Sequence, residues 1–133
     1  MQNRTFVVVI VGIAALVGSY FALQPAMQPS TEATAKEFDL EVKNRKLTID
    51  PPIIRISQGD HITLRIKADE SAEFHLPDPY DIEVEVEPGE VTVLRFNATI
   101  AGRLDLEWHL PKQAGQEERP EVIIGTIEIA PKP

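Results

Sequence analysis

The sequence predicts an all-β domain, an antiparallel sandwich, carried behind one N-terminal membrane helix. Three observations predict it. From Phe38 onward, apolar and polar residues alternate with a period of two, the signature of strands with one buried face. Breaks rich in Pro and Gly separate these runs at short intervals, as in sandwiches. Phe6 to Leu23, by contrast, is apolar apart from Gly12, Gly18, Ser19 and Tyr20.

At about 1.5 Å per residue, the Phe6–Leu23 stretch reaches about 27 Å, close to the thickness of a bilayer's hydrocarbon core. It has no polar face, which argues against a helix packed inside a soluble domain. Arg4 precedes it and no charge follows until Glu32. The positive-inside rule then places the N-terminus in the cytoplasm and the rest of the chain outside. A retained anchor and a cleaved signal are the two readings. The small-residue site Ala33-Thr34-Ala35 lies well past the apolar core, which favours the anchor. The organisation expected is an anchor over 1–23, a Pro/Ser/Thr linker over 24–36 and a folded domain over 37–131. The linker holds Pro25, Pro29 and Ser30.

In the domain, Phe38, Leu40 and Val42 alternate with Asp39, Glu41 and Lys43. Ile62, Leu64 and Ile66 alternate with Thr63, Arg65 and Lys67. Ile82, Val84 and Val86 alternate with Asp81, Glu83, Glu85 and Glu87. Leu104, Leu106 and Trp108 alternate with Arg103, Asp105 and Glu107, and Ile127 and Ile129 flank Glu128. Ser57-Gln58-Gly59-Asp60 and Glu87-Pro88-Gly89-Glu90 read as hairpin-like turns. Asp50-Pro51-Pro52 and Pro77-Asp78-Pro79 stop strands, because proline cannot donate to a ladder. Lys112 to Pro120 reads as a polar loop. Seven or eight short strands are expected, with no helix in the domain.

Composition narrows the chemistry. The chain of 133 residues has no cysteine, so disulfides, thiolate ligands and cysteine nucleophiles are excluded. Its formal net charge of -8 argues against nucleic acid, which needs clustered Lys and Arg. An acidic domain suits a basic protein partner or simple solubility.

The order of elements carries a family resemblance. Ile53 to Ile66 reads as strand, Gly59-Asp60 turn, strand. Phe74-His75-Leu76-Pro77 and the run Tyr80 to Val86 follow. Then come Pro88-Gly89-Glu90, Arg95-Phe96-Asn97-Ala98, Ala101-Gly102-Arg103 and a closing Gly125-Thr126-Ile127-Glu128-Ile129. Over about residues 38–130 this resembles the cupredoxin family, most closely the copper-carrying domain of cytochrome c oxidase subunit II. The resemblance implies a Greek-key β-sandwich, and in some members a single N-terminal helix before it. It does not bring the copper ligands with it. The family's first histidine ligand falls at Ala72, its cysteine at Trp108, the second cysteine of binuclear sites at Lys112, and the late ligands in the region of Ile123.

Copper sites of this kind need a soft thiolate, so the expectation is no cofactor. The route left for copper is a non-standard site through His75 and His109. Each sits at an odd offset from a family ligand position, which on a strand points to the opposite face. Trp108 is read either as a plug filling the space of a metal or as a contact for a protein partner. His109 and Tyr80 are the other candidate partner contacts. The carboxylates Asp81, Glu83, Glu85 and Glu87 read as a solvated face that discourages edge pairing. Asn97-Ala98-Thr99 matches a glycosylation sequon. No nucleophile elbow or His-Glu-x-x-His occurs, and the chain is not expected to be an enzyme. The expected function is a membrane-anchored, extracytoplasmic binding or assembly module beside respiratory oxidase or copper-handling proteins. The alternative is a subunit II-like electron-transfer protein with a non-standard histidine copper site.

Overall fold

The computed structural model describes residues 33–133. The expected membrane helix and most of the expected linker lie outside the described residues. Among the described residues there is no helix, and hence none long and apolar enough to cross a membrane.

Nine strands form in chain order among these residues: β1 Ala35–Lys43, β2 Lys46–Leu47, β3 Ile53–Ser57, β4 His61–Ala68, β5 Ala72–Leu76, β6 Ile82–Val86, β7 Thr92–Asn97, β8 Gly102–His109 and β9 Glu121–Ala130. The first begins at Ala35, inside the stretch read as linker. They build a four-stranded sheet, β2-β1-β4-β7, and a five-stranded sheet, β3-β9-β8-β5-β6. The alternating runs behave as their pattern demands. In β4, Ile62, Leu64 and Ile66 are buried between more exposed polar neighbours. Leu40 and Val42 from β1, Phe74 and Leu76 from β5, Leu106 and Trp108 from β8, and Ile127 and Ile129 from β9 meet them in one apolar core.

Turns form at both expected places, with Gly59 at φ 94° and Gly89 at φ 84°, left-handed conformations that favour glycine, but neither closes a hairpin: β3 to β4 and β6 to β7 each pass from one sheet to the other. Gly125 serves differently. A Cβ there would lie 2.9 Å from the Pro52 carbonyl oxygen and closer still to Leu47, so its bareness lets that segment close over β9.

The architecture corrects one expectation. The sandwich is not wholly antiparallel: β1 runs parallel to β4 and β3 parallel to β9. Parallel neighbours are joined by long excursions and not by tight turns. No local turn signal in the sequence announces them.

Candidate functional site

Strands β5 and β8 lie side by side in the five-stranded sheet, and their register places the chemistry. In β5 the side chains of Ala72, Phe74 and Leu76 are buried, so Glu73 and His75 take the outer face. In β8, Leu106 and Trp108 are buried and Glu107 and His109 face out. Glu73 pairs with His109 and His75 with Glu107, so each histidine stands opposite a carboxylate. Directly paired residues are near enough for their side chains to touch. The edge strand β6 adds Glu83 beside His75 and Glu85 beside Glu73. On the other flank β9 adds Glu121 beside His109. A bulge between Leu106 and Glu107 resets the register of β8 against β9, re-aiming the side chains beyond it.

The result is a half-buried cluster. The two imidazole centroids are 5.1 Å apart, with the rings tilted at 59°. His75 Nδ1 lies 2.7 Å from Glu107 Oε2, and His75 Nε2 lies 3.3 Å from Asp81 Oδ1 and 4.0 Å from Glu83 Oε1. His109 Nε2 lies 3.3 Å from the same Glu107 oxygen and 3.5 Å from Glu121 Oε2. His109 Nδ1 lies 3.5 Å from Glu73 Oε1, which accepts a 2.7 Å hydrogen bond from Arg119. Burial alone would lower the pKa of His75. The hydrogen bonds to Glu107 and Asp81, and the charges of Glu107 and Glu83, outweigh burial and raise it above the usual 6.5.

The structure sorts the sequence-derived residues. His75 and His109 do lie on the face opposite the core, as strand alternation requires. That same alternation brings them together, without any bending of loops. His61 is elsewhere, on β4 of the other sheet, with Nδ1 2.6 Å from Asn97 Oδ1. The acidic run of β6 and the residue before it is not merely solvated, because Asp81, just ahead of the strand, and Glu83 within it face His75. Glu73, Glu107 and Glu121 were missed as site residues. The signal for Glu73 and Glu107 was the repeated Glu-x-His of β5 and β8, whose meaning depends on a register the sequence does not print; Glu121 had no such signal.

Of the two readings of Trp108, the structure supports the plug in the core. Its side chain is fully buried, packed in the core with Nε1 donating to Glu70 Oε1 at 3.2 Å. An aromatic with no exposed surface is a core residue and makes no contact with a partner. Tyr80 is half-buried, its ring edge-on to Phe96 at 5.0 Å and its hydroxyl bonded to the backbone of Ile100. The four positions matched to copper ligands differ in burial. Ala72 is buried like Trp108, whereas Lys112 is exposed and donates to the Glu117 carbonyl, and Ile123 is 48% exposed on the outer face.

No known protein-family profile matches the chain. No curated protein matches it either. Solved structures do. A copper binding protein determined in its apo form is 15% identical, with a TM-score of 0.53 over 74% of this chain and 90% of that one. The metal binding domain of the Cu(I) exporting P-type ATPase CopA of Streptococcus pneumoniae D39 is 14% identical, with a TM-score of 0.51 over 76% of this chain and 91% of that one. The fold is cupredoxin-like. A chain of a heme-copper terminal oxidase dimer is also similar, at 14% identity and a TM-score of 0.50, covering 92% of this chain and 97% of that one. At these identities the cupredoxin-like likeness is one of fold alone.

Two of the similar structures are a copper binding protein and a metal binding domain, and the residues at the four matched positions of this chain offer the following donors. Ala72, and Leu110 beyond Trp108 on the same strand face, offer only hydrocarbon. Trp108 offers an N–H donor that Glu70 already takes. No sulfur ligand exists at any of the four positions, nor any imidazole. This donor set does not fit copper of the cupredoxin kind.

Proposed function

We propose that the chain is a membrane-anchored, extracytoplasmic cupredoxin-like domain that has given up the family's copper site and works as a binding or assembly module. Its partners on this reading are respiratory oxidase or copper-handling membrane proteins. The observation that carries it is the core around Trp108. The fold is retained while its ligand positions hold Ala72, a buried Trp108, Lys112 and Ile123. The fold relatives point to the partner class: among them are a chain of a heme-copper terminal oxidase and a domain of a Cu(I) exporter. The apolar stretch Phe6–Leu23 behind Arg4 supports anchoring with the domain outside.

The electron-transfer alternative draws on one observation, the pairing of His75 with His109. Nitrogen and carboxylate ligands alone lack the thiolate that such copper centres use. Assembly is therefore the better-supported reading.

Two measurements test it. Protease added to intact spheroplasts removes the domain if it lies outside, and protection refutes that topology. The tagged full chain, recovered from its native membrane in mild detergent, brings an oxidase subunit or a copper-transport protein with it in near-stoichiometric amount. Recovery of the chain alone refutes the assembly reading.

A further inference from the structure

The outer face of the five-stranded sheet holds a second kind of chemistry, on the side opposite the buried Ala72 and Trp108. One ligand atom each of His75, Glu83 and His109 lie within 4.8 Å of one another. A tetrahedral ion with ligand bonds of about 2.0–2.1 Å needs ligand atoms about 3.3 Å apart. His75 Nε2 and Glu83 Oε1 are already 4.0 Å apart. Glu83 comes from an edge strand and its side chain is 52% exposed, so it is free to close the remaining gap. The imidazoles are only 14% and 15% exposed.

The surroundings resemble the support that metal-bound histidines usually have. Such a histidine donates its other ring N–H to a carboxylate, which fixes the tautomer and aims the free nitrogen at the ion. Glu107 Oε2 sits 2.7 Å from His75 Nδ1, which directs Nε2 to the side of Glu83, where the exposed Asp81 carboxylate, now 3.3 Å from Nε2, gives way to the ion. On His109, Glu73 lies at Nδ1 and is itself held by Arg119. The second nearby group, Glu107, His109 and Glu121, has one imidazole in place of two. It is the poorer set for an ion that favours nitrogen, and it supplies the negative surroundings.

We propose that His75, His109 and Glu83 form a binding site for one borderline divalent transition-metal ion, Zn(II) or Cu(II), with Glu107 positioning His75. Imidazole and carboxylate suit these ions, whereas Cu(I) calls for soft sulfur. The chain has no cysteine, and its two methionines, Met1 and Met27, both precede the described residues. The site is independent of the assembly reading, since it uses neither the membrane segment nor the core.

The test uses the full chain in detergent, stripped with EDTA and titrated calorimetrically with zinc chloride and with copper(II) sulfate. One equivalent binds with submicromolar affinity, Cu(II) more tightly than Zn(II). His75→Gln and His109→Gln each weaken binding by about 100-fold or more, and Glu107→Gln by about 10–100-fold. His61→Ala, on the other sheet, leaves it unchanged. Electron paramagnetic resonance of the Cu(II) form shows coupling to two imidazole nitrogens, a readout that needs no variant to fold. In Glu107→Gln that coupling persists despite the weaker affinity. The absence of saturable binding, binding unchanged in both histidine variants, or a spectrum without two imidazole nitrogens overturns the proposal.

Discussion

Replacing Trp108 with alanine tests the packing that substitutes for a metal. The side chain is among the largest of those with no exposed surface, and it stands beside Phe74 across the β5–β8 ladder. Truncating a buried Trp to Ala costs about 3–5 kcal/mol, lost transfer energy plus the void left behind. Glu70 keeps its hydrogen bond from Arg45 at 3.0 Å, so no unpaired charge adds to the cost. Domains of this size have only about 5–15 kcal/mol of stability, and each kcal/mol moves the melting temperature by about 4–8 °C. The expected fall is about 12–40 °C. Trp108→Phe retains most of the ring packing but loses the bond to Glu70 and leaves a smaller void, at a cost of about 1–3 kcal/mol. Trp108 is the chain's one tryptophan, so the unfolding of the variants is followed by far-ultraviolet circular dichroism. In the unsubstituted protein its fluorescence is blue-shifted and protected from iodide. A change within about 0.5 kcal/mol for Trp108→Ala, the range of surface substitutions, refutes the packing argument and returns the residue to the surface.

Two further outcomes follow from the fold. Residues 33–133 expressed alone fold as a soluble domain, because both sheets and their shared core lie within them. Circular dichroism shows sheet with little helix, and a helical or disordered spectrum opposes this. Asp60 gives the pH dependence. Burial alone would raise its pKa, but hydrogen bonds from Lys36 and the backbone of Ser57 and Thr34, with the charge of Lys36, hold it below the usual 3.8. A depressed carboxylate contributes stability that is present above its unfolded pKa and lost as pH falls through the folded one. Asp60→Asn therefore flattens the loss of stability below about pH 4 and costs about 1–2 kcal/mol at pH 7. Denaturant midpoints across pH check it, and an unchanged acid limb contradicts it.

Much of the sandwich was legible because alternation is a local signal. The runs of β4 and β8 could be read residue by residue, and Gly59 before β4 and Gly89 between β6 and β7 marked turns through the backbone geometry they permit. The pairings β1–β4 and β3–β9 were not legible, since each joins segments whose contact depends on the path of the whole chain. The candidate site divides in the same way. Alternation alone put His75 and His109 on the face away from the core. Their meeting depends on β5 and β8 being neighbours in one register. No turn motif sets that register. For the same reason Glu73 and Glu107 looked like ordinary strand carboxylates until each was found opposite a histidine. Trp108 was ambiguous in sequence because an aromatic near a strand end serves cores and interfaces alike.

The central claim is that the fold persists without copper at the position its relatives use. The most direct test removes the outer-face histidines and asks whether any copper site is left. The full chain carrying His75→Ala and His109→Ala is titrated with Cu(I) and with Cu(II), and circular dichroism confirms that it remains folded. The account predicts no tight binding of either ion, because Ala72, Trp108, Lys112 and Ile123 supply neither thiolate nor imidazole. One equivalent of copper held with submicromolar affinity by that variant contradicts it.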